Sequence, residues 1–148
     1  MSAQPVDGRI YCLHTIVLGN NGVVDVTAAE PEGDIILRHE RDAPTQQWEA
    51  HKINAEEWSF RDRTGNYLAA PSAGANNQLR GAVCSDPGLD PMLRWRLNRV
   101  GSTFEILNAA YPDMAMDLSN ARPADGTPIL LNRERKGSVN QQWLFKAL

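Results

Sequence analysis

The chain has 148 residues, with 15 Lys and Arg against 18 Asp and Glu and a formal net charge of −3. That length suits one domain over residues 1–148, large enough to hold an ordinary hydrophobic core without staples. The mixed charge speaks against an electrostatic nucleic-acid binder, which would carry a clustered basic excess, and no segment approaches the roughly 20 apolar residues of a membrane span.

The chain starts with "MSAQPVDGRIY", which is polar and lacks the apolar core of a signal peptide, and no Asn-X-Ser/Thr sequon occurs. Both point to a cytoplasmic protein. Cys12 and Cys84 form no CxxC pair, and two cysteines cannot build a structural zinc site by themselves. They are expected as free thiols on strands; a disulfide between them would need an oxidising compartment. His14, His39 and His51 show no metal-ligand spacing, so neither a metal nor another cofactor is expected.

In chain order, short apolar runs alternate with turn signals. "RIYCL" (Arg9–Leu13), the turn "LGNNGV" and "GVVDV" (Gly22–Val26) come first, then Gly33 opens "GDIILRHE" and the segment closes on Trp48. "WSFRD" (Trp58–Asp62), the turn "DRTGNY", "NYLAA" (Asn66–Ala70) and a run opened by Asn76 lead to Trp95. "TFEIL" (Thr103–Leu107), "MAMDL" (Met114–Leu118) and "GTPILLNRE", opened by Gly126, lead to Trp143. The runs are short, rich in β-branched and aromatic residues, and bounded by Gly, Asn, Asp and Pro, which predicts strands. In "TFEIL", Phe104 and Ile106 alternate with Glu105, the pattern of a half-buried strand. "NAEEWSFRD" is the nearest helical candidate and is too short to matter.

Trp48, Trp95 and Trp143 are spaced by 47 and 48 residues, and Trp58 falls outside the series. The order strand, turn, strand, loop, strand, loop, tryptophan strand recurs in segments near residues 8–50, 51–98 and 99–148. Twelve short strands in three copies fit a closed barrel capped by hairpins, because closure removes exposed edges. No copy can bury its apolar face alone, so the three tryptophans are expected in one shared core.

The motif Gln46-Gln47-Trp48 returns as Gln141-Gln142-Trp143 and, degenerate, as Leu93-Arg94-Trp95. With "MAMDLSN", "DGTPILLN" and "VNQQWLF" of the third copy, it resembles the ricin-B-like β-trefoil lectin family over Gly8 to Phe145, and most of all its small single-domain fungal lectins. The resemblance implies an all-β, β-trefoil fold of twelve strands in three pseudo-symmetric repeats. Gln-X-Trp itself is a folding motif. The indole fills the core, and the glutamine bonds backbone groups of a neighbouring loop.

By the same resemblance, a sugar site takes a carboxylate from an Asp-hydrophobic pair, an amide from Asn-Gln-X-Trp, and an aromatic platform after the third strand. The third repeat supplies Asp117, Asn140 and Gln141, with Asn132 where the platform belongs. The first supplies Asp25, Thr45 and Gln46, with Arg38 or His39 at the platform. The second has Ala69 and Met92-Leu93 and no site. Each residue also has a plainer reading: Asp25 and Asp117 bonding turn backbone, Asn140 bracing its loop, His39 as an exposed loop histidine, and Asn132–Lys136 as a solvated hairpin tip. Tyr111 is a stray candidate platform. Without a ring the sites rest on hydrogen bonds; millimolar binding corresponds to only about −4 kcal/mol. Two sites, or a homodimer, would raise avidity on multivalent glycans.

The expected function is therefore a lectin for galactose- or N-acetylgalactosamine-type glycans on glycoproteins or glycolipids, with no nucleic-acid partner and no membrane insertion. The alternative is a β-trefoil protease inhibitor that presents "NRERKGS" or "SFRDRTGN". Acid pairs such as Glu56-Glu57 or Asp113 with Asp117 exist, but nothing else points to catalysis, so no enzymatic activity is expected.

Overall fold

A computed structural model describes residues 4–27, 33–71 and 77–148. Met1 to Ala3 and the expected turn residue Asn76 lie outside the described residues. The first repeat forms β1 (Ile10–Thr15), β2 (Gly22–Val26), β3 (Ile35–His39) and β4 (Trp48–Lys52). The second forms β5 (Glu57–Asp62), β6 (Tyr67–Ala69), β7 (Asn77–Gln78), β8 (Arg80–Ala82) and β9 (Trp95–Val100). The third forms β10 (Thr103–Asn108), β11 (Met114–Leu118), β12 (Ile129–Arg133) and β13 (Trp143–Ala147). Between β12 and β13, as before β4 and β9, a 3₁₀ turn stands just ahead of the tryptophan: Val139–Gln141, Pro44–Gln46 and Pro91–Leu93, the last preceded by another at Pro87–Leu89. The helical candidate around Glu57 is strand. No helix of the described residues is long and apolar enough to cross a membrane.

The first and last strands of each repeat close a barrel. β1 pairs with β4, β4 with β5, β5 with β9, β9 with β10, β10 with β13, and β13 with β1, all antiparallel. The inner strands form hairpins β2–β3, β6–β8 and β11–β12. These hairpins join at one end of the barrel. Ile35 N–H donates to Leu79 C=O, Leu79 N–H to Ile129 C=O, and Leu37 N–H to Thr127 C=O. This is the trefoil arrangement that the repeats imply. The third strand of the second repeat is broken into β7 and β8 at Leu79, because that residue turns both backbone groups toward the other two hairpins.

The core places the three indoles equivalently. Trp48, Trp95 and Trp143 are fully buried in one cluster. Each indole N–H reaches a carbonyl of its own repeat's second strand: Val24 at 3.1 Å, Leu68 at 2.9 Å and Met116 at 3.2 Å. Burying such a ring contributes several kcal/mol, and its one polar group is satisfied. Phe145 stacks on Phe60 with ring centroids 5.7 Å apart and meets Phe104 edge-on at 5.6 Å. The turns carry the expected residues. Asn21 and Gly65 hold positive φ, and the Asp62 carboxylate accepts from the Thr64 and Asn66 amides.

Two expectations need correction. Glu105 is not on a solvent face: every residue of β10 is buried, and Glu105 is 0% exposed. β10 sits between β9 and β13 in the barrel wall, and alternation cannot say that Asn98, Glu134 and Lys136 crowd its outer face. Cys84 is not on a strand, since β8 ends at Ala82. Both thiols are free, Cys12 buried and Cys84 half-buried.

Candidate functional site

In the third repeat, β11 turns Met116 and Leu118 into the core, so Asp117 points to the opposite face. Its carboxylate is nearly buried, at 2% exposure. Oδ2 accepts from Gln141 Nε2 at 3.0 Å and from Arg135 Nη2 at 3.1 Å. Gln141 ends the 3₁₀ turn that precedes Trp143. It also donates to the Arg133 carbonyl at 2.9 Å and accepts from the Arg135 amide at 2.7 Å. One side chain therefore fastens the loop after β12 and holds the aspartate, which is the backbone role expected of the motif's glutamine, with a carboxylate added.

Asn140, one residue earlier, is half-buried and accepts from Ser138 Oγ at 3.1 Å. Beyond Asp117 comes a 3₁₀ turn, Ser119–Ala121, in which Asn120 and Ala121 adopt positive φ of 55° and 51°. Two consecutive non-glycine residues in that region are uncommon and pin a specific loop shape. The β11–β12 loop borders an open polar pocket of about 300 Å³ lined by Ser119, Asn120, Arg122, Asp125 and Thr127. Asn132 is half-buried on β12, opposite Ala115, and its Oδ1 accepts from the Arg133 amide at 2.9 Å.

The first repeat reproduces this arrangement. Asp25 is fully buried, and its Oδ2 accepts from Gln46 Nε2 at 3.0 Å. Gln46 donates to the His39 carbonyl at 2.9 Å and accepts from the Arg41 amide at 3.0 Å. Arg41 Nη2 lies 3.7 Å and Arg38 Nε 4.0 Å from Asp25 Oδ2. Asp25 Oδ1 is buried and makes no hydrogen bond among the described residues. Register resolves the platform position. Val23 faces Arg38 as Ala115 faces Asn132, so Arg38 is the counterpart of Asn132. His39 instead aligns with Arg133 and is exposed. Its amide and ring Nδ1 bond the two oxygens of Asp125, each at 2.8 Å. Those bonds, the backbone one foremost, hold the Asp125 carboxyl below its ordinary pKa.

The second repeat fills the same place with hydrocarbon. Ala69, Ala82 and Leu93 pack together, with Tyr67, Cys84 and Met92 against them. Tyr111, in the loop between β10 and β11, is half-buried and packs against the main core. Asp117 bonds Gln141 and Arg135, and Asp25 bonds Gln46 with Arg41 in ion-pair range, rather than turn backbone. Arg135, placed by the sequence on a solvated tip, is tied to Asp117. Sequence reasoning missed Arg41 and Arg135 as site residues. Their signal was positional: each stands three residues beyond Arg38 or Asn132.

A family model described as ricin-type β-trefoil lectin domain-like matches residues 44–132. No curated protein matches the chain. Among solved structures, the designed threefold-symmetric protein ThreeFoil is 20% identical with a TM-score of 0.84, covering 94% of this chain and 99% of that one. A ricin B-like lectin from Macrolepiota procera, solved with lactose, is 21% identical with a TM-score of 0.80, covering 97% and 99%. The Rhizoctonia solani agglutinin is 17% identical with a TM-score of 0.78, covering 99% and 100%. Identities this low speak for the fold alone. These comparisons lend the protease-inhibitor alternative no support, and one of its candidate side chains, Arg135, is already engaged. With its barrel, its three equivalent indoles and the family match over more than half its length, the chain belongs to the ricin-type β-trefoil lectin domain-like family.

Proposed function

We propose that the protein is a lectin that binds galactose- or N-acetylgalactosamine-type glycans through its third repeat, with the first repeat as a second site. The observation that carries this reading is the Asp117–Gln141 pair beside the Asn140 turn, in a chain of a lectin-type family. The carboxylate accepts sugar hydroxyls, and Asn140 donates and accepts at the rim. Such charge-assisted bonds contribute about 1.5–3 kcal/mol each. The lactose in the Macrolepiota procera structure supports a galactoside as the ligand class.

Asn132 supplies no ring face, so the apolar side of the sugar stays wet and a single site is weak, near millimolar or about −4 kcal/mol. Two sites on one chain give avidity on branched glycans. No catalytic step is assigned to these residues.

The test is a glycan array followed by titration of lactose into the wild type and Asn140→Ala. Asn140 lies at the rim, so its loss leaves the core intact. Weak lactose binding that falls to the first repeat's share, with the third-repeat site lost, is expected in Asn140→Ala. An array without any galactoside signal would overturn the function, and unchanged binding by the variant would remove the third repeat as its site.

A further inference from the structure

The two polar sites share a feature beyond the aspartate and glutamine: each aspartate is closed by an arginine. Arg135 Nη2 stands 3.1 Å from Asp117 Oδ2, and Arg41 Nη2 stands 3.7 Å from Asp25 Oδ2. The positions correspond through the strand register, each being three residues past the partner of Ala115 or Val23. In the second repeat the partner of Tyr67 is Ala82, and three residues on stands Ser85. There the aspartate and glutamine are gone as well, replaced by Ala69 and Leu93. Arginine, aspartate and glutamine are kept together or lost together.

Exposure decides what an incoming ligand meets. The Arg135 and Arg41 side chains are 49% and 44% exposed, and Arg38 is 34% exposed, whereas the two carboxylates are at 2% and 0%. A ligand reaches guanidinium first. In the first repeat two guanidinium groups face one carboxylate, leaving one positive charge in excess. The carboxylate still has an unused acceptor, Asp25 Oδ1, buried and without a partner among the described residues.

For a neutral sugar this arrangement is unfavourable. At Asp117 its hydroxyl must displace the charge-assisted bond from Arg135 and offers the guanidinium only another neutral partner, and at Asp25 it leaves the excess positive charge unanswered. A sugar with an anionic substituent avoids that loss. The guanidinium swings from the carboxylate to the anion in its planar, two-pronged geometry, and the freed aspartate accepts a hydroxyl.

We infer that Arg135 and Arg41 make these sites selective for acidic sugars, in which a carboxylate or a sulfate ester stands next to the hydroxyls. The arginines take the anion; Asp117, Asp25 and Asn140 take the hydroxyls. This inference rests on the carbohydrate-binding reading and names its ligand class.

The experiment titrates galactose, galacturonic acid and galactose 6-sulfate into the wild type, Arg135→Gln and the double variant Arg41→Gln/Arg135→Gln. Glutamine can still bond the aspartate but carries no charge, and thermal melts verify that the variants fold. Where a variant does not fold, Arg135→Lys serves in its place, keeping the charge but losing the two-pronged geometry. The wild type is expected to bind at least one acidic sugar about tenfold or more tighter than galactose, the effect of one charge-assisted bond. That preference is expected to weaken in salt and to disappear in the double variant. A preference for galacturonic acid alone or for the sulfate alone supports the inference and identifies the anion. Galactose bound as tightly as both acidic sugars, or a preference that survives in the double variant, would overturn it while leaving the lectin reading intact. Binding of none of the three, on a protein that also fails the glycan array, would remove the lectin reading itself.

Discussion

Gln141 donates through Nε2 to Asp117 Oδ2 at 3.0 Å, and Gln46 makes the same bond to Asp25 at the same distance. In the second repeat Ala69 and Leu93 occupy these two places and bury against each other. The trefoil frame accepts either a polar pair or an apolar pair in this slot. It has no provision for one of each, because a buried acceptor without its donor carries its full desolvation cost.

That exclusion can be measured. Gln141→Leu alone leaves Asp117 short of a donor and strips the Arg133 carbonyl and Arg135 amide of their side-chain partner. A loss of about 2–3 kcal/mol is expected in urea denaturation. Adding Asp117→Ala recreates the second repeat's combination and is expected to restore about 1 kcal/mol or more, a non-additivity proper to residues in contact. A double variant no more stable than Gln141→Leu would refute the pairing rule.

Glu105 supplies a pH-dependent test. Its Oε1 accepts from Asn98 Nδ2 at 2.8 Å, while Oε2 is buried with no hydrogen bond among the described residues. Burial first, and then the neighbouring Glu134 carboxyl, raise its pKa, with Asn98 and Lys136 pulling the other way. A raised folded value means that the folded chain keeps a proton the unfolded chain has released. Glu105 is therefore best tolerated below the ordinary glutamate pKa of about 4.3, and that tolerance is lost as pH rises through the folded value. Glu105→Gln removes the ionisation and keeps an acceptor for Asn98. The variant is expected to be more stable than the wild type near neutral pH, with a gap that narrows as pH falls toward about 4. Urea midpoints across that range are the measurement, and a gap that does not change with pH would show that ionisation of Glu105 is not the cause.

The repeat was legible because a tryptophan is too large to place casually. Three indoles at intervals of 47 and 48 residues have one economical explanation, a common core. The Asp117–Gln141 and Asp25–Gln46 pairs were legible as motif members, although their direct bonding was not. Glu105 was misread because alternation gives the direction of a side chain and not what covers it. Arg41 and Arg135 were overlooked as site residues for a related reason. They belong to loops whose path is set when a glutamine from the following turn catches the loop amide, a contact with no sequence period. Cys84 was misplaced in the same way, since strand signals say where regular structure stops and little about where the chain goes next.

The two cysteines should separate cleanly by reactivity. Cys12 lies on β1 at 1% exposure. Burial, and after it the adjacent Glu40, push its thiol up to about 12. Cys84 lies half-buried beyond β8, packed only at the edge of the small cluster of Ala69, Ala82 and Leu93. The thiolate is the attacking species, so reaction requires both access and a usable ionised fraction. Iodoacetamide on the folded protein at about pH 8, just below the ordinary thiol pKa, is expected to add a single group, at Cys84. In urea both thiols react, because the burial that suppresses Cys12 is gone. Cys84→Ser is expected to leave the folded protein unlabelled over the same time. Alkylation of Cys12 in the native state at a rate matching Cys84 would mean that β1 opens from its pairing with β13 far more readily than a closed barrel wall allows, and the closure of the barrel itself would then be in question.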